Sequence, residues 1–306
     1  MQVHFSLEDL PDFKNAVLTI GTFDGVHTGH QKIIEALKVQ AAKIDGETVV
    51  ITFHPHPRKI VTAEPLQLIN TLEERIALLE IYAIDHLIVI PFTNEFADQS
   101  AEAYIEDFLI KYFKPHSIVI GYDHRFGKDR KGNYSLLELY SSKCGFNLIE
   151  IPKHVLNEIA ISSTKIRNAL LSSDIETANS LLGYYFFFSG KVVSGDQLGR
   201  TLNYPTANLT YTDNDKINLG HGVYAVYVTI DGKEKKGMLS IGNRPTINNK
   251  NEEKIEVNIF DFDASIYGSI IKVSVKKYLR KQEKYATLEA LKVQLAKDKE
   301  DSLLCL

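Results

Sequence analysis

The chain has 306 residues, of which 44% are hydrophobic and 24% charged, and its formal net charge is −4. That length suits two domains or one large one, and the apolar share supports a real core. The slight acid excess argues against general nucleic-acid binding, the two cysteines (Cys144 and Cys305) make neither a CxxC pair nor a disulfide framework, and no apolar run approaches the ~20 residues that span a bilayer. The segment from Met1 to Leu10 carries Glu8 and Asp9 and lacks the apolar centre of a secretory signal. The expected address is the cytoplasm. The expected partners are small molecules, not nucleic acid or membrane, and the expected assembly is a monomer or weak homo-oligomer.

Up to Ile151, short apolar runs alternate with amphipathic stretches. Buried strands are expected at Ala16–Ile20, Thr48–Phe53, His86–Ile90, Ser117–Ile120 and Phe146–Ile151. Between them, Ile33, Ile34, Leu37 and Ala41 share one helical face. Ile76, Leu78 and Leu79 share a second, with Thr71 and Glu74 spaced for a capping box at its start. Tyr104, Ile105, Phe108 and Leu109 form a third stripe. Continuously apolar strands alternating with helices predict a doubly wound α/β domain, its parallel sheet covered on both faces.

The segment Gly21-Thr22-Phe23-Asp24-Gly25-Val26-His27-Thr28-Gly29-His30 lies between the first strand and the first helix and ends in HxGH. Doubly wound folds bind ligands at the carboxyl ends of their strands, where a helix N-terminus offers free N–H groups and partial positive charge. Gly21, Gly25 and Gly29 would let a nucleotide approach the backbone, and His27 and His30 could donate to phosphate oxygens. Taken alone, the two histidines would be ordinary surface residues; the strand-to-helix context gives them weight. Further on, Ile161-Ser162-Ser163-Thr164-Lys165-Ile166-Arg167 opens another expected helix. Its hydroxyls and two cations make a plausible triphosphate clamp, although a serine N-cap with a solvated basic face has the same letters.

Beyond about Gly183 helical spacing mostly disappears. Strands are expected at Tyr185–Val193, Gly222–Ile230, Lys235–Ile241, Lys254–Phe260 and Ile270–Val275, and a helix from Thr287 to Lys299. Turn residues such as Asp213-Asn214-Asp215 and Asp231-Gly232 separate them, so an antiparallel barrel or sandwich is expected. The domain boundary falls between residues 183 and 184. No Walker GxxxxGK[ST] sequence occurs. Instead, Gly195 and Gly199 lie in a loop that could cover phosphates, followed by Pro205-Thr206-Ala207-Asn208. In extended chain Thr206 and Asn208 face one side, and their oxygens are hard ligands suited to Mg²⁺. A proline turn leading into a strand reads equally well from those four letters.

Together these motifs resemble the bacterial bifunctional riboflavin kinase/FMN adenylyltransferase (FAD synthetase) family. HxGH with the later SSTKIR is similar to the nucleotidyltransferase superfamily, and Gly21 to His27, including Phe23 and Asp24, resembles its FMN adenylyltransferases. Phe53-His54-Pro55-His56-Pro57 is similar to the family loop after the second strand. Gly121-Tyr122-Asp123-His124-Arg125-Phe126-Gly127 resembles the family's GxDFRFG stretch, with His124 in place of the usual Phe. PTAN, followed by Ile255 to Asp263, resembles the riboflavin kinase signature. The resemblance implies an N-terminal nucleotidyltransferase domain and a C-terminal β-barrel kinase domain with a terminal helix. It implies ATP-dependent conversion of riboflavin to FMN and of FMN to FAD, with Mg²⁺. It places Asp123 and Arg125 among the nucleotide-binding residues, makes Glu256 the kinase's catalytic carboxylate, and places Arg244 and Arg280 near the flavin. Asn203 and Asn258 depart from the family's usual Gly and His.

Two other readings stay open on the residues alone. HxGH permits a monofunctional adenylyltransferase with another phosphorylated acceptor, which would have no use for a second phosphate site. A flavin- or nucleotide-sensing protein would bind without turnover.

Overall fold

The computed structural model describes residues 1–62, 65–152, 161–194, 204–245 and 251–306. The chain divides into two compact units. Met1–Leu66 with Leu72–Ser162 form the first, and Gln67–Thr71 with Ser163–Leu306 form the second.

In the first unit β1 (Gln2–His4), β2 (Val17–Ile20), β3 (Thr48–His54), β4 (His86–Pro91), β5 (Ser117–Gly121) and β6 (Asn147–Ile151) make one sheet, ordered β1-β4-β3-β2-β5-β6. Each pairing is parallel. β2 and β5 are buried along their whole length, and β3 and β4 except at their last residue. Such strands have no solvated face, which is why Val, Ile and Leu occupy consecutive positions. From β2 the sheet grows through β3, β4 and β1 on one side, and through β5 and β6 on the other. That reversal opens a crevice at the carboxyl edge, where Gly21 leaves β2 and Gly121 ends β5.

Helix α1 (Thr28–Lys43) buries Ile34, Leu37 and Ala41 and packs on β2, β3 and β5. Helix α2 (Leu72–Ile81) departs from expectation. It buries Leu78 and Leu79, but also Glu74 and Arg75, while Ile76 is only half-buried. Arg75 turns inward because carbonyl oxygens in the interior receive its N–H groups, as described below. The third stripe is buried as expected, within a helical segment over residues 101–113 that widens to π geometry at Tyr104–Ile110. β1 was not expected; it is three residues long, lies at the sheet edge and has no apolar run to announce it.

The second unit is a closed barrel, not a sandwich. Its strands are β7 (Phe187–Val193), β8 (Ala207–Tyr211), β9 (Gly222–Ile230), β10 (Lys233–Pro245), β11 (Asn251–Ile259) and β12 (Ile270–Arg280), ordered β10-β11-β8-β7-β12-β9. Closure leaves no unpaired sheet edge. Helices α3 (Ser163–Leu171) and α4 (Ile175–Leu182) precede the barrel, and α4 packs against β12. The Asn179 side chain locks that contact, donating to the Val275 carbonyl (3.0 Å) and accepting from the Phe186 N–H (2.7 Å). The final helix α5 (Leu288–Cys305) is capped by Thr287, whose hydroxyl accepts from the Ala290 N–H at 3.1 Å. It runs past Lys299 and covers β9, β10 and β12.

The short stretch Gln67–Thr71 joins this unit through its backbone. Leu68 N–H donates to Asp215 O (2.6 Å) and Ile217 N–H to Leu68 O (2.8 Å). Lys216, 2% exposed, donates to the carbonyls of Ile69 and Phe187, each at 2.7 Å. Those acceptors offset the cost of burying an ammonium group. No helix among the described residues is long and apolar enough to cross a membrane.

Candidate functional site

Residues of the HxGH segment meet at the carboxyl edge of β2. His27 is the N-cap of α1, and its Nδ1 accepts from the His30 N–H at 3.3 Å. That bond leaves the proton of the neutral ring on Nε2, free to donate elsewhere. The His27 and His30 rings stack with centroids 3.7 Å apart, and Phe23 lies 4.9 Å from the His30 ring. Gly29 makes this possible, since a Cβ there would stand 3.2 Å from His27 Nδ1. A Cβ at Gly21 would similarly press on the Phe23 ring. Phe23 and Val26 carry φ values of 48° and 35°, a left-handed backbone unusual for such side chains and characteristic of shaped sites. Asp24 is buried beneath the turn, 1% exposed.

Burial keeps both imidazoles neutral. It pushes His27 down to about 4 and holds His30 well below its ordinary 6.5, there helped by the nearby His27 and Arg75. His124, just beyond β5, is also pushed down to about 4 by burial. Four polar side-chain atoms of this unit are buried without a hydrogen-bond partner among the described residues: His30 Nδ1, His54 Nδ1, Arg75 Nε and His124 Nε2. His30 lies in the first turn of α1 after β2, His54 ends β3, His124 follows β5, and Arg75 reaches the loop after β2 and the end of β3 from α2. An unpaired buried polar group costs ~1–3 kcal/mol, so a cluster of them marks a place built for polar ligand atoms. Asp123 and Arg125 are exposed on the loop after β5.

The SSTKIR segment is divided between the units. Ser162 closes the first, and Ser163 begins α3 in the second. Thr164 and Lys165 are exposed. Arg167 is buried and donates Nε to the Gln67 carbonyl at 2.7 Å.

On the barrel, Asn208 of β8 stands directly opposite Glu256 of β11. Ile255, Val257 and Ile259 are buried inward, which leaves Glu256 on the other face of β11. Thr206 donates to Glu256 Oε1 over a long 3.4 Å, and Lys254 pairs with the same oxygen at 2.9 Å. Thr206 and Asn208 line a cavity of about 440 Å³, together with Val192, Pro205, Phe262 and Tyr267. That size suits a small-molecule site.

Residues 10–165 match the family model for FAD synthetase, and residues 182–306 that for riboflavin kinase. The chain is 38% identical over 294 residues to the bifunctional riboflavin kinase/FMN adenylyltransferase of Bacillus subtilis, covering 94% of this chain and 92% of that one. The Haemophilus influenzae enzyme of the same name is 36% identical over 290 residues, covering 94% and 93%. The chain belongs to the bifunctional riboflavin kinase/FMN adenylyltransferase family. A solved Streptococcus pneumoniae structure described as a macrolide-efflux protein shares the whole architecture, with a TM-score of 0.88, 31% identity and 98% of both chains covered.

As a member of this family the chain carries an N-terminal FAD synthetase domain and a C-terminal riboflavin kinase domain. Riboflavin, FMN, FAD and ATP are its substrates and products. Against that background some residues gain structural roles that their letters did not reveal. Asn258 is buried and donates to the Pro205 carbonyl at 2.6 Å, tying β11 to the PTAN segment. Arg280 forms a two-bond ion pair with buried Asp298 of α5 (Nε–Oδ1 2.7 Å, Nη2–Oδ2 2.6 Å), and its Nη1 donates to Lys281 O. Its guanidinium thus fastens the terminal helix to the barrel. Arg244 lies on β10 opposite Glu252, but its side chain is outside the described residues, as are Gly195, Gly199 and Asn203.

Proposed function

We propose that adenylyl transfer occurs at the carboxyl edge of the first unit's sheet and riboflavin phosphorylation on the barrel face that carries Glu256. The stacked, buried His27 and His30 at the N-terminus of α1, with unpaired polar atoms left on His30 and Arg75 among the described residues, are the observation that carries the first assignment. In that reaction an FMN phosphate oxygen attacks the α-phosphorus of ATP. The new P–O bond forms as the bond to the β-phosphate bridging oxygen breaks, and pyrophosphate leaves. A phosphate nucleophile needs no strong base, so the site has only to align the groups and stabilise spreading charge. His27 and His30 donate to phosphate oxygens beside the N-terminus of α1. Ser162, Ser163, Thr164, Lys165 and Arg167 supply the triphosphate clamp, and Asp123 and Arg125 contact the nucleotide.

In the kinase the ribityl hydroxyl attacks the γ-phosphorus and ADP leaves. An alcohol is a poor nucleophile, and Glu256 orients it and takes its proton. Arg244 and Arg280 act near the flavin, Arg280 through its hold on the terminal helix. Gly195 and Gly199 belong to the phosphate-covering loop.

Thr206 and Asn208 offer two neutral hard oxygens beside a carboxylate, a set that fits Mg²⁺ sharing its remaining positions with phosphate and water. Bound there, Mg²⁺ would neutralise phosphate charge. Adding a chelator is expected to abolish both reactions. The Asn208→Ala variant should require about tenfold more Mg²⁺ for half-maximal FMN formation and no more for FAD formation. An unchanged Mg²⁺ requirement in that variant would contradict the assignment of Asn208.

We propose the functional boundary between residues 183 and 184; α4 ends there in a left-handed glycine (φ 77°), and the riboflavin kinase match begins at residue 182. The folding boundary lies earlier, at Ser163. Helices α3 and α4 therefore belong to the barrel's compact unit while SSTKIR serves the other reaction. A cytoplasmic enzyme without nucleic-acid partners, monomeric or weakly associated, fits the net charge of −4 and the lack of a membrane-spanning helix among the described residues.

A further inference from the structure

A buried arginine is costly, and Arg75 is 4% exposed. Its guanidinium has a specific set of neighbours. Nη1 donates to the Thr22 carbonyl, inside the HxGH segment, and to the Thr52 hydroxyl at 3.1 Å. Nη2 donates to the Phe53 carbonyl at 3.3 Å. Thr52 in turn donates to the same Thr22 carbonyl at 3.1 Å. One side chain of α2 therefore ties the loop after β2 to the end of β3. The buried carboxylate of Asp24 and the nearby Glu73 support its charge, and that charge acts on His30. Nε is left buried without a hydrogen-bond partner among the described residues. A residue kept only for packing would be replaced at lower cost by an apolar side chain of similar volume.

We infer that Arg75 is a positioning residue for adenylyl transfer, holding the HxGH loop in register with β3 and standing as a fixed positive charge behind His30. The fork of the guanidinium supplies the tether, because it reaches carbonyl oxygens of two loops at once. The charge supplies part of the preorganised field for the phosphates, in a site where little water screens it. The inference rests on the placement of adenylyl transfer at this site.

Two variants of the full chain separate tether from charge. Arg75→Lys keeps the charge and loses the fork; Arg75→Gln keeps amide donors and loses the charge. FAD formation from FMN is measured at saturating ATP across pH, with riboflavin phosphorylation by the same preparation as the internal reference and near-UV circular dichroism as the check on folding. The expected kcat for FAD formation falls about tenfold in Arg75→Lys and about a hundredfold in Arg75→Gln, with FMN formation unchanged. The acid-side break in kcat should move to higher pH in Arg75→Gln only, because the positive charge that helps hold His30 down is then gone. A folded Arg75→Gln protein with the wild-type rate overturns the inference. So do equal losses in both variants with no movement of the break, and so does loss of the folded first unit in both. Should only Arg75→Gln fail to fold, a wild-type rate in Arg75→Lys overturns it and a tenfold loss supports it. Absence of FAD formation by the wild-type chain would instead defeat the site assignment itself.

Discussion

The His30→Ala variant is expected to lose FAD formation by a factor of about 10²–10³ while FMN formation stays within about twofold. Glu256→Ala should do the reverse, losing about 10²–10⁴ in FMN formation and sparing FAD formation from supplied FMN. The asymmetry follows from placement. His30 stacks on His27 in the first unit, and Glu256 stands opposite Asn208 on the barrel of the second. The chemistry differs as well. His30 is a charge-stabilising donor for a nucleophile that is already anionic, whereas Glu256 must handle the proton of an alcohol. Removing Glu256 also leaves Lys254 and Thr206 without their shared acceptor, so the folding of the variant's barrel is checked by near-UV circular dichroism. Equal loss of both activities in both folded variants would contradict two separate sites.

Lowering the pH from 6.5 toward 4 should destabilise the first unit steeply. His27 and His124 titrate near 4 in the folded unit, and His30 is held well below its ordinary 6.5, in each case chiefly by burial. In the unfolded chain all three take up protons near 6.5. Between those values the unfolded state binds more protons, so stability falls as pH falls, and the share from His27 and His124 levels off below about 4. At about 1.4 kcal/mol per pH unit, His27 and His124 each account for roughly 3 kcal/mol over that window. Calorimetric unfolding of the full chain at several pH values reads the effect. A His124→Phe variant should fall less steeply, and at pH 7 it should be somewhat more stable, because an unpaired buried nitrogen has been removed. A first-unit transition that does not move between pH 6.5 and 4.5 would mean that these rings are not held neutral.

The parallel sheet was legible because β2, β3, β4 and β5 are buried on both faces and must be apolar at nearly every position. Barrel strands such as Gly222–Ile230 were legible for a similar reason, being buried almost throughout. β8 was not, since only Leu209 among its residues is fully buried and the rest read as turn and polar chain. On α2 the buried face includes Arg75 rather than Ile76, because hydrophobic periodicity assigns an arginine to solvent and only the carbonyls of Thr22 and Phe53 turn it inward. HxGH was legible as a motif at a strand-to-helix junction. Its support from Arg75 was not, because Arg75 lies on an element whose sequence says nothing about the loop it touches. Glu256 rested on family resemblance alone; its register against Asn208 needed the paired strands. The ion pair from Arg280 to Asp298 joins a strand end to a helix that lies beyond an intervening loop, and no local pattern connects them.

The most direct test of the central claim is a chromatographic time course. The purified full chain is incubated with riboflavin, ATP and Mg²⁺, and FMN and FAD are followed. FMN should appear first and FAD after it, with FAD formed from supplied FMN at once. No product from riboflavin, or FMN that is never converted to FAD, would contradict a single chain that carries out both steps.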